Sequence, residues 1–128
     1  MTDTRAVLAA NQAFYRAFEK RDLAAMSEVW SQGTGSLCIH PGRDALVGWE
    51  AIARSWGQIF KNTDYLEIDP DVRTTEISGN LAYVVLTENL MQVVRGRRVR
   101  SQTLATNVFE KMGDRWYLVH HHGSPIMQ

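Results

Sequence analysis

The stretch NVFEKMGDRWYLVHHHGSP, residues 107–125, carries two apolar segments on either side of a Gly113–Asp114 turn. This pattern predicts two strands joined as an antiparallel hairpin. Three consecutive histidines, at positions 120–122, stand inside the second strand. They continue an apolar run and are followed by further sequence, so we interpret them as native residues and not as a purification tag.

The chain before this hairpin divides into a helical part and a strand part. Apolar residues recur at helical spacing up to about Lys20, then after Asp22, which can cap a second helix, and again from near Gly48. From Tyr65 onward the spacing changes to that of strands. The predicted strands are residues 36–40, 65–69, 72–78, 81–92 and 98–111. Helices followed by a meander of strands predict one α+β domain over residues 1–128, with three helices packed on one face of a curved, mainly antiparallel sheet.

The predicted strand from about Arg97 to Lys111 is long for a globular protein. A long strand usually bends, and helices laid over a bent sheet leave a pocket between the two layers. One face of this strand carries Ala105, Asn107 and Phe109 and the other carries Leu104, Thr106 and Val108. Both faces are apolar, so we expect one to meet the helices and the other to meet a second copy in a homodimer.

Composition excludes several classes of function. A chain of 128 residues with a net charge of zero fits one ordinary domain and argues against a dedicated nucleic-acid or membrane-surface binder. The single cysteine, Cys38, permits no intramolecular disulfide. The N-terminal residues lack a signal pattern, and no apolar run is long enough to span a bilayer. We therefore expect a cytoplasmic protein that binds neither nucleic acid nor membranes.

Three motifs resemble the nuclear transport factor 2-like superfamily, specifically its SnoaL-like and ketosteroid-isomerase-like proteins. They are FEKRDLAAMSEVW at residues 18–30, CIHPG with VGWEAIARSW at 38–42 and 47–56, and the 107–125 stretch. The last also resembles the end of the association domain of calcium/calmodulin-dependent kinase. The resemblance implies a cone-shaped α+β barrel with a deep pocket between helices and sheet, usually dimeric.

The resemblance also assigns positions, residue by residue. The aspartate base of ketosteroid isomerases corresponds to His40, and their oxyanion-binding aspartic acid corresponds to Asn107. Their catalytic tyrosine corresponds to Phe14, with Tyr15 adjacent. All three positions therefore depart from the isomerase pattern. The pocket arginines of the kinase domain are replaced as well, by Val85, Asn107 and Gly123.

His40 is the first candidate for chemistry, because an imidazole can accept and return a proton near neutral pH. Its alternative role is a structural hydrogen bond that fixes the His-Pro-Gly turn. Asn107 is the second candidate. Its amide could hold a substrate carbonyl or a developing oxyanion, as donors of this type do in known enzymes. The alternative is a hydrogen bond to a neighbouring side chain.

The histidines of the last strand are assigned from alternation. His120 and His122 share one face, and His121 lies on the other. The pairing of the first two with Trp116 and Leu118 favours an inward position for them, with His122 assisting catalysis and His120 binding ligand, and a hydrogen-bonded network that lines a pocket or closes a dimer interface is the alternative. Together with His40 they could hold a metal, although no carboxylate stands at a diagnostic spacing. We expect no metal and no cofactor.

The aromatic residues Tyr15, Trp30, Trp56 and Phe109 are candidates for lining the pocket and stacking on a flat ligand, with plain core packing as the alternative. Glu88 could orient a histidine or stand in solvent. These residues together predict a site for a small hydrophobic or carbonyl-containing molecule.

Three functions remain open at this point. The first is an isomerase, cyclase or lyase in which His40 accepts a proton and Asn107 binds the oxyanion. The second is a non-catalytic ligand-binding or assembly module, and the third is a histidine metal site.

Overall fold

The computed structural model of the chain describes residues 3–127 and contains three helices and six strands. The helices are α1 (Asp3–Lys20), α2 (Leu23–Val29) and α3 (Trp49–Asn62). The strands are β1 (Leu37–Ile39), β2 (Leu46–Val47), β3 (Tyr65–Ser78), β4 (Leu81–Val94), β5 (Arg97–Met112) and β6 (Arg115–Pro125).

The strands form one sheet in the order β2-β1-β6-β5-β4-β3. Among these strands of residues 3–127, only the β1–β6 pair is parallel, and the other neighbours are antiparallel. The predicted α+β architecture, with three helices on a curved and mainly antiparallel sheet, is confirmed. The sheet itself stays open, because β2 and β3 form its two edges.

Two details differ from the sequence-based prediction. The segments expected as two separate strands form the single strand β3, which passes through Pro70 without a break and contains a register shift next to Arg73. Proline is tolerated there because β3 is an edge strand, which has no partner on one side. The short strand β2 was not predicted, and two residues are too few to give a periodic signal.

The core lies between the helices and one face of the sheet, called here the inner face. From the helices, Phe14, Ile52 and Trp56 are fully buried, and from the sheet Leu86 and Phe109 meet them. Burial of such a large apolar side chain contributes about 1.5–3 kcal/mol to stability. Among the described residues no helix is both long and apolar enough to cross a membrane.

One irregularity in β6 decides which histidine faces this core. The pairing with β5 runs from Phe109 opposite Leu118 to Val108 opposite His120, so Val119 is an extra residue that forms a bulge. A bulge of one residue exchanges the two faces of the strand beyond it. The prediction that His120 and His122 point inward is therefore wrong, and His121 is the histidine buried in the core.

Candidate functional site

A group of hydrogen-bonded polar side chains lies on the inner face and is buried among the aromatic residues of the core. We call it the inner polar cluster. It consists of Asn11, Tyr15, Glu88, Thr103, Asn107 and His121. Helix α1 supplies the first two of these residues, and the remaining four come from β4, β5 and β6.

Asn107 is at the centre of the inner polar cluster and is fully buried. Its Nδ2 donates to Asn11 Oδ1 at 2.9 Å and to Tyr15 Oη at 3.1 Å. Its Oδ1 lies 2.5 Å from Nδ1 of His121. Both amide hydrogens and the amide oxygen are thus engaged within the protein, which satisfies a group that would be costly to bury alone.

The contact with Asn107 also fixes the protonation of His121. An amide oxygen can only accept a hydrogen bond, so Nδ1 of His121 carries the proton and Nε2 is the basic nitrogen. Complete burial lowers the pKa of His121 to about 3, and repulsion from His120 and His122 adds to the effect. His121 is consequently a neutral imidazole at physiological pH.

Tyr15 and Glu88 form a second branch of the cluster. The Tyr15 hydroxyl donates to Glu88 Oε2 at 2.6 Å, and the Thr103 hydroxyl donates to Glu88 Oε1. Burial raises the pKa of Glu88, while the bonds from Thr103 and Tyr15 act in the opposite direction. Burial and the neighbouring Glu88 also raise the pKa of Tyr15 well above its usual value, so its hydroxyl stays protonated.

His40 follows β1 directly and stands beside the cluster, half-buried. Its Nε2 lies 2.8 Å from Ser55 Oγ on α3 and 3.8 Å from Cys38 Sγ. Its ring meets the edge of Trp56, with 4.9 Å between centroids. The imidazole is therefore held by side chains of two elements.

The surroundings of His40 keep it neutral at physiological pH. Burial lowers the pKa of His40 to about 4, and repulsion from His121 and Arg43 contributes in the same direction. Attraction to Glu88 acts against these effects. An uncharged imidazole can accept a proton, and the Glu88 carboxylate attracts the imidazolium that would result.

The aromatic candidates Trp30, Trp56 and Phe109 are packed into the core with at most 1% of their surface exposed. Phe14 joins them, with edge-to-face contacts to Trp30 at 6.3 Å and to Trp56 at 5.7 Å between centroids. Tyr15 is also buried, at 3% exposure. A ligand could reach these rings only if the packing opened.

Three indole N–H groups are buried without a hydrogen-bond partner in the described part of the chain. They belong to Trp30, Trp56 and Trp116. A buried donor without a partner costs about 1–3 kcal/mol. Of the three rings, Trp56 is the one that contacts both His40 and His121, with centroids 4.9 and 6.2 Å apart.

His120 and His122 lie on the opposite, outer face of the sheet, with 6.3 Å between ring centroids. His120 is half-buried and His122 is exposed. The structure thus does not bring them together with His40 on the inner face. Within residues 3–127, no group of three or more His, Cys, Asp or Glu side chains is placed to hold a metal ion.

A cleft of about 800 Å³ opens at the end of the sheet near the inner polar cluster. Its lining includes Leu90, Ser101 and Pro125. Leu90 and Ser101 pair with each other and stand two residues from Glu88 and Thr103, so they share the inner face with them. The cleft therefore begins one row of side chains beyond Glu88.

Sequence reasoning missed three members of the cluster, and two of them had left a signal. Asn11 occupies a core position on α1, four residues after Val7. Thr103 continues the inner-face alternation of β5, as Glu88, which the sequence offered as a partner for a histidine, does on β4. A polar residue at a core position of a periodic pattern needs a partner, which is the signal that could have found Asn11 and Thr103. His121 gave no such signal, because its face depends on the bulge.

Comparison with known proteins places this geometry in a family. A family model described as "SnoaL-like domain" matches residues 7–128. The F-box protein SKIP8 of Arabidopsis thaliana is 30% identical over 124 residues, which are 97% of this chain and 51% of that protein. The chain thus spans about half the length of this curated relative.

Solved structures agree in fold. A Streptomyces avermitilis protein of the NTF2-like family, provisionally named a dehydratase, is 34% identical with a TM-score of 0.90, over 98% of this chain and 97% of that one. A Thiobacillus denitrificans protein, provisionally named a calcium/calmodulin-dependent protein kinase type II association domain, is 32% identical with a TM-score of 0.84, over 93% and 94%. A ketosteroid isomerase-like protein of Erwinia carotovora is 18% identical with a TM-score of 0.87, over 98% of both chains, and shows the fold alone.

Proposed function

The chain belongs to the SnoaL-like domain family, and on that premise we propose that it binds a small carbonyl-containing molecule beside His40 and moves a proton on it. The reaction would be that of an isomerase, a cyclase or a lyase. The observation that carries the proposal is the neutral, half-buried imidazole of His40, which stands next to a buried carboxylate and a hydrogen-bonded polar cluster. A dehydratase is a lyase, so the provisional name of the Streptomyces avermitilis relative agrees with this class.

In the proposed reaction His40 is the proton acceptor. Proton removal next to a carbonyl creates imidazolium, and Glu88 lies close enough for its carboxylate to stabilise that charge. A positioned general base of this kind typically accelerates a reaction by about 10²–10⁴-fold. His121 has a lower pKa and is fully buried, which makes it a poorer acceptor.

The proposed oxyanion role of Asn107 requires an exchange of partners. Its Nδ2 donates to Asn11 Oδ1 at 2.9 Å, and a substrate oxygen would replace Asn11 as the acceptor. The bond from His121 would hold the amide in the same orientation throughout. Such a preoriented donor stabilises a developing negative charge without further reorganisation.

We propose the 800 Å³ cleft as the entrance for the ligand, because its lining residues Leu90 and Ser101 are one row of side chains away from Glu88 and Thr103 on the inner face. Binding would require the core packing to open and would then bring a flat carbonyl-containing molecule against Trp56, whose N–H group has no partner in the described chain and could donate to it. His122 stands on the outer face, so a catalytic role for it is not part of this proposal.

The full hydrogen bonding within the cluster favours a second candidate, a non-catalytic module. Asn107 has no free hydrogen, and Trp30 and Trp56 fill the space between helices and sheet. In that case the cluster would hold α1 on the sheet, and the outer face of the sheet would serve assembly, as the name of the Thiobacillus denitrificans relative suggests for that protein.

We further propose that the outer face of the sheet pairs with a second copy of the chain. Tyr83 and Leu104 are 43% and 44% exposed there, and the half-buried Val108 pairs directly with Tyr83. An apolar sheet face without a covering layer is ordinarily buried in an interface. This dimer is compatible with both candidate functions.

A ligand test separates the two candidates. β-Tetralone is a flat aromatic ketone, and its effect on thermal unfolding can be compared between the unchanged protein, His40→Gln and Lys61→Gln, an exposed change on the same helix as Ser55. The proposal expects stabilisation of the unchanged protein and Lys61→Gln and a weaker shift for His40→Gln. No shift in any of the three, or equal shifts in all, favours the non-catalytic module.

A further inference from the structure

Ser55 differs from Ser27, the other serine in the described helices, because its hydroxyl is directed to another element. A serine inside a helix commonly returns its hydroxyl to a carbonyl of the preceding turn, as Ser27 does with Ala24 at 2.7 Å. Ser55, in the middle of α3, instead has its hydroxyl 2.8 Å from Nε2 of His40. A hydroxyl at this distance from an imidazole is the geometry of a nucleophile and its base.

We propose that Ser55 and His40 form a nucleophile–base pair that reacts with small activated esters. The proposal rests on the proposed function only in taking His40 as the proton acceptor. Both residues are half-buried, so part of the surface of each remains exposed. The two groups are held on separate elements, α3 and the end of β1, which fixes their mutual distance.

The neighbours of His40 are compatible with the tautomer that this pair needs. Its Nε2 has two neighbours, the Ser55 hydroxyl and the Cys38 thiol at 3.8 Å. Burial raises the pKa of Cys38 to about 12, so the thiol keeps its hydrogen. The reaction requires the tautomer in which Nε2 carries the lone pair and accepts from the Ser55 hydroxyl.

The positive charge that would develop on His40 during the attack is stabilised by a nearby negative charge. Transfer of the Ser55 proton makes His40 an imidazolium, and Glu88 is the carboxylate that attracts it. The charged group that opposes this is Arg43, and His121 opposes it only if it gains a proton. Glu88 thus offers the imidazolium an electrostatic counterpart, while its own hydrogen bonds come from Tyr15 and Thr103.

The reaction balances without a further reagent. Ser55 Oγ bonds to the carbonyl carbon of the ester while its proton passes to His40 Nε2. The ester bond breaks, and the leaving alcohol takes the proton from His40. Water then hydrolyses the acyl-serine by the same route in reverse. With a fluorophosphate, the Oγ–P bond forms, fluoride leaves, and the proton passes through His40 to the solvent.

Labelling with diisopropyl fluorophosphate tests the pair. The protein is incubated with the reagent at pH 7, and the adduct is measured by intact mass and located by peptide mapping. We expect one adduct, on Ser55, that is absent from Ser55→Ala and unaffected in Ser36→Ala, a serine whose hydroxyl donates to the Ser31 carbonyl. His40→Gln retains a hydrogen-bonding side chain without a base and should label about 10²-fold more slowly.

A pH profile of labelling in the unchanged protein provides an independent readout. His40 is neutral well above its pKa of about 4, so the labelling rate should be constant from about pH 6 to pH 8. Absence of an adduct on Ser55, equal labelling of His40→Gln, or a rate that rises tenfold per pH unit across this range would overturn the proposal. Binding of β-tetralone to Ser55→Ala is measured alongside, and its persistence would leave the proposed function standing.

Discussion

His121 donates its Nδ1 proton to Asn107 Oδ1 across 2.5 Å, and this bond joins β6 to β5 at the centre of the protein. His120 and His122 on either side of it face the other way. One buried imidazole thus ends a chain of hydrogen bonds that runs through Asn107 and Tyr15 to Glu88. The predictions below follow from this arrangement.

Replacing Asn107 by leucine should destabilise the fold. The change keeps the approximate size but leaves Asn11 and His121 without their partner in a buried site. We expect the free energy of unfolding, measured in urea, to fall by about 2–4 kcal/mol, since each orphaned group costs about 1–3 kcal/mol. Thr106→Val, on the outer face of the same strand, should change it by less than about 1 kcal/mol. Similar losses for the two variants would contradict the role of the cluster.

The stability should depend on pH through the two buried histidines. Their pKa values in the folded protein are about 3 for His121 and about 4 for His40, against an ordinary value of 6.5. Below about pH 6.5 the unfolded chain therefore binds more protons than the folded one, and stability falls as the pH falls toward 3. The slope is up to about 1.4 kcal/mol per pH unit for each histidine.

Glu88 changes the stability in the opposite direction. Its pKa in the folded protein is raised above the ordinary 4.5, so its contribution to the free energy of unfolding is present below pH 4.5 and is lost as the pH rises. Urea unfolding between about pH 5 and pH 7 avoids most of the carboxyl titrations. In this range the free energy of unfolding of His121→Phe should change less steeply with pH than that of the unchanged protein. His122→Phe, a change at an exposed position on the outer face, should keep the full dependence on pH. An unchanged slope in His121→Phe would refute the assignment.

Gly123 provides the space that brings the turn after His40 against the sheet. A Cβ at this position would lie 3.3 Å from Pro41 Cγ and 3.9 Å from Glu88 Oε1. We expect Gly123→Ala to cost about 1–3 kcal/mol and to shift the NMR signals of the His40 ring. Gly35→Ala is the matched control, because its Cβ would meet nothing within 4 Å. Unmoved His40 signals in Gly123→Ala would mean that the turn tolerates the added methyl group.

A charge on the outer face should separate the proposed dimer. Leu104→Glu places a carboxylate on the outer face, which also carries Tyr83 and Val108. By light scattering we expect twice the chain mass of 14.5 kDa for the unchanged protein and for Gln12→Glu, an exposed change on α1, and the single mass for Leu104→Glu. A monomeric mass for the unchanged protein, or a dimeric mass for Leu104→Glu, would contradict this interface.

The sequence predicts the layers of this fold well and the centre of its site only in part. The alternation around Asn107 and Phe109 and the helical spacing of Phe14 and Trp56 depend on local periodicity, which one chain contains. The inward turn of His121 depends on the Val119 bulge, and a bulge reflects the fit between β5 and β6 in three dimensions. The size of the expected pocket could not be predicted for a similar reason, because the extent to which Trp56 fills the space between helices and sheet depends on three-dimensional packing.

Proton exchange on a bound ketone tests the central proposal most directly. In D₂O near neutral pH, the loss of the α-proton signals of β-tetralone is followed by ¹H NMR with the unchanged protein, His40→Gln and Lys61→Gln. If His40 is the proton acceptor, the unchanged protein and Lys61→Gln will accelerate exchange, and His40→Gln will lower the catalysed rate by about 10²-fold or more. Equal rates with and without the imidazole, or no acceleration by the unchanged protein, would contradict the account.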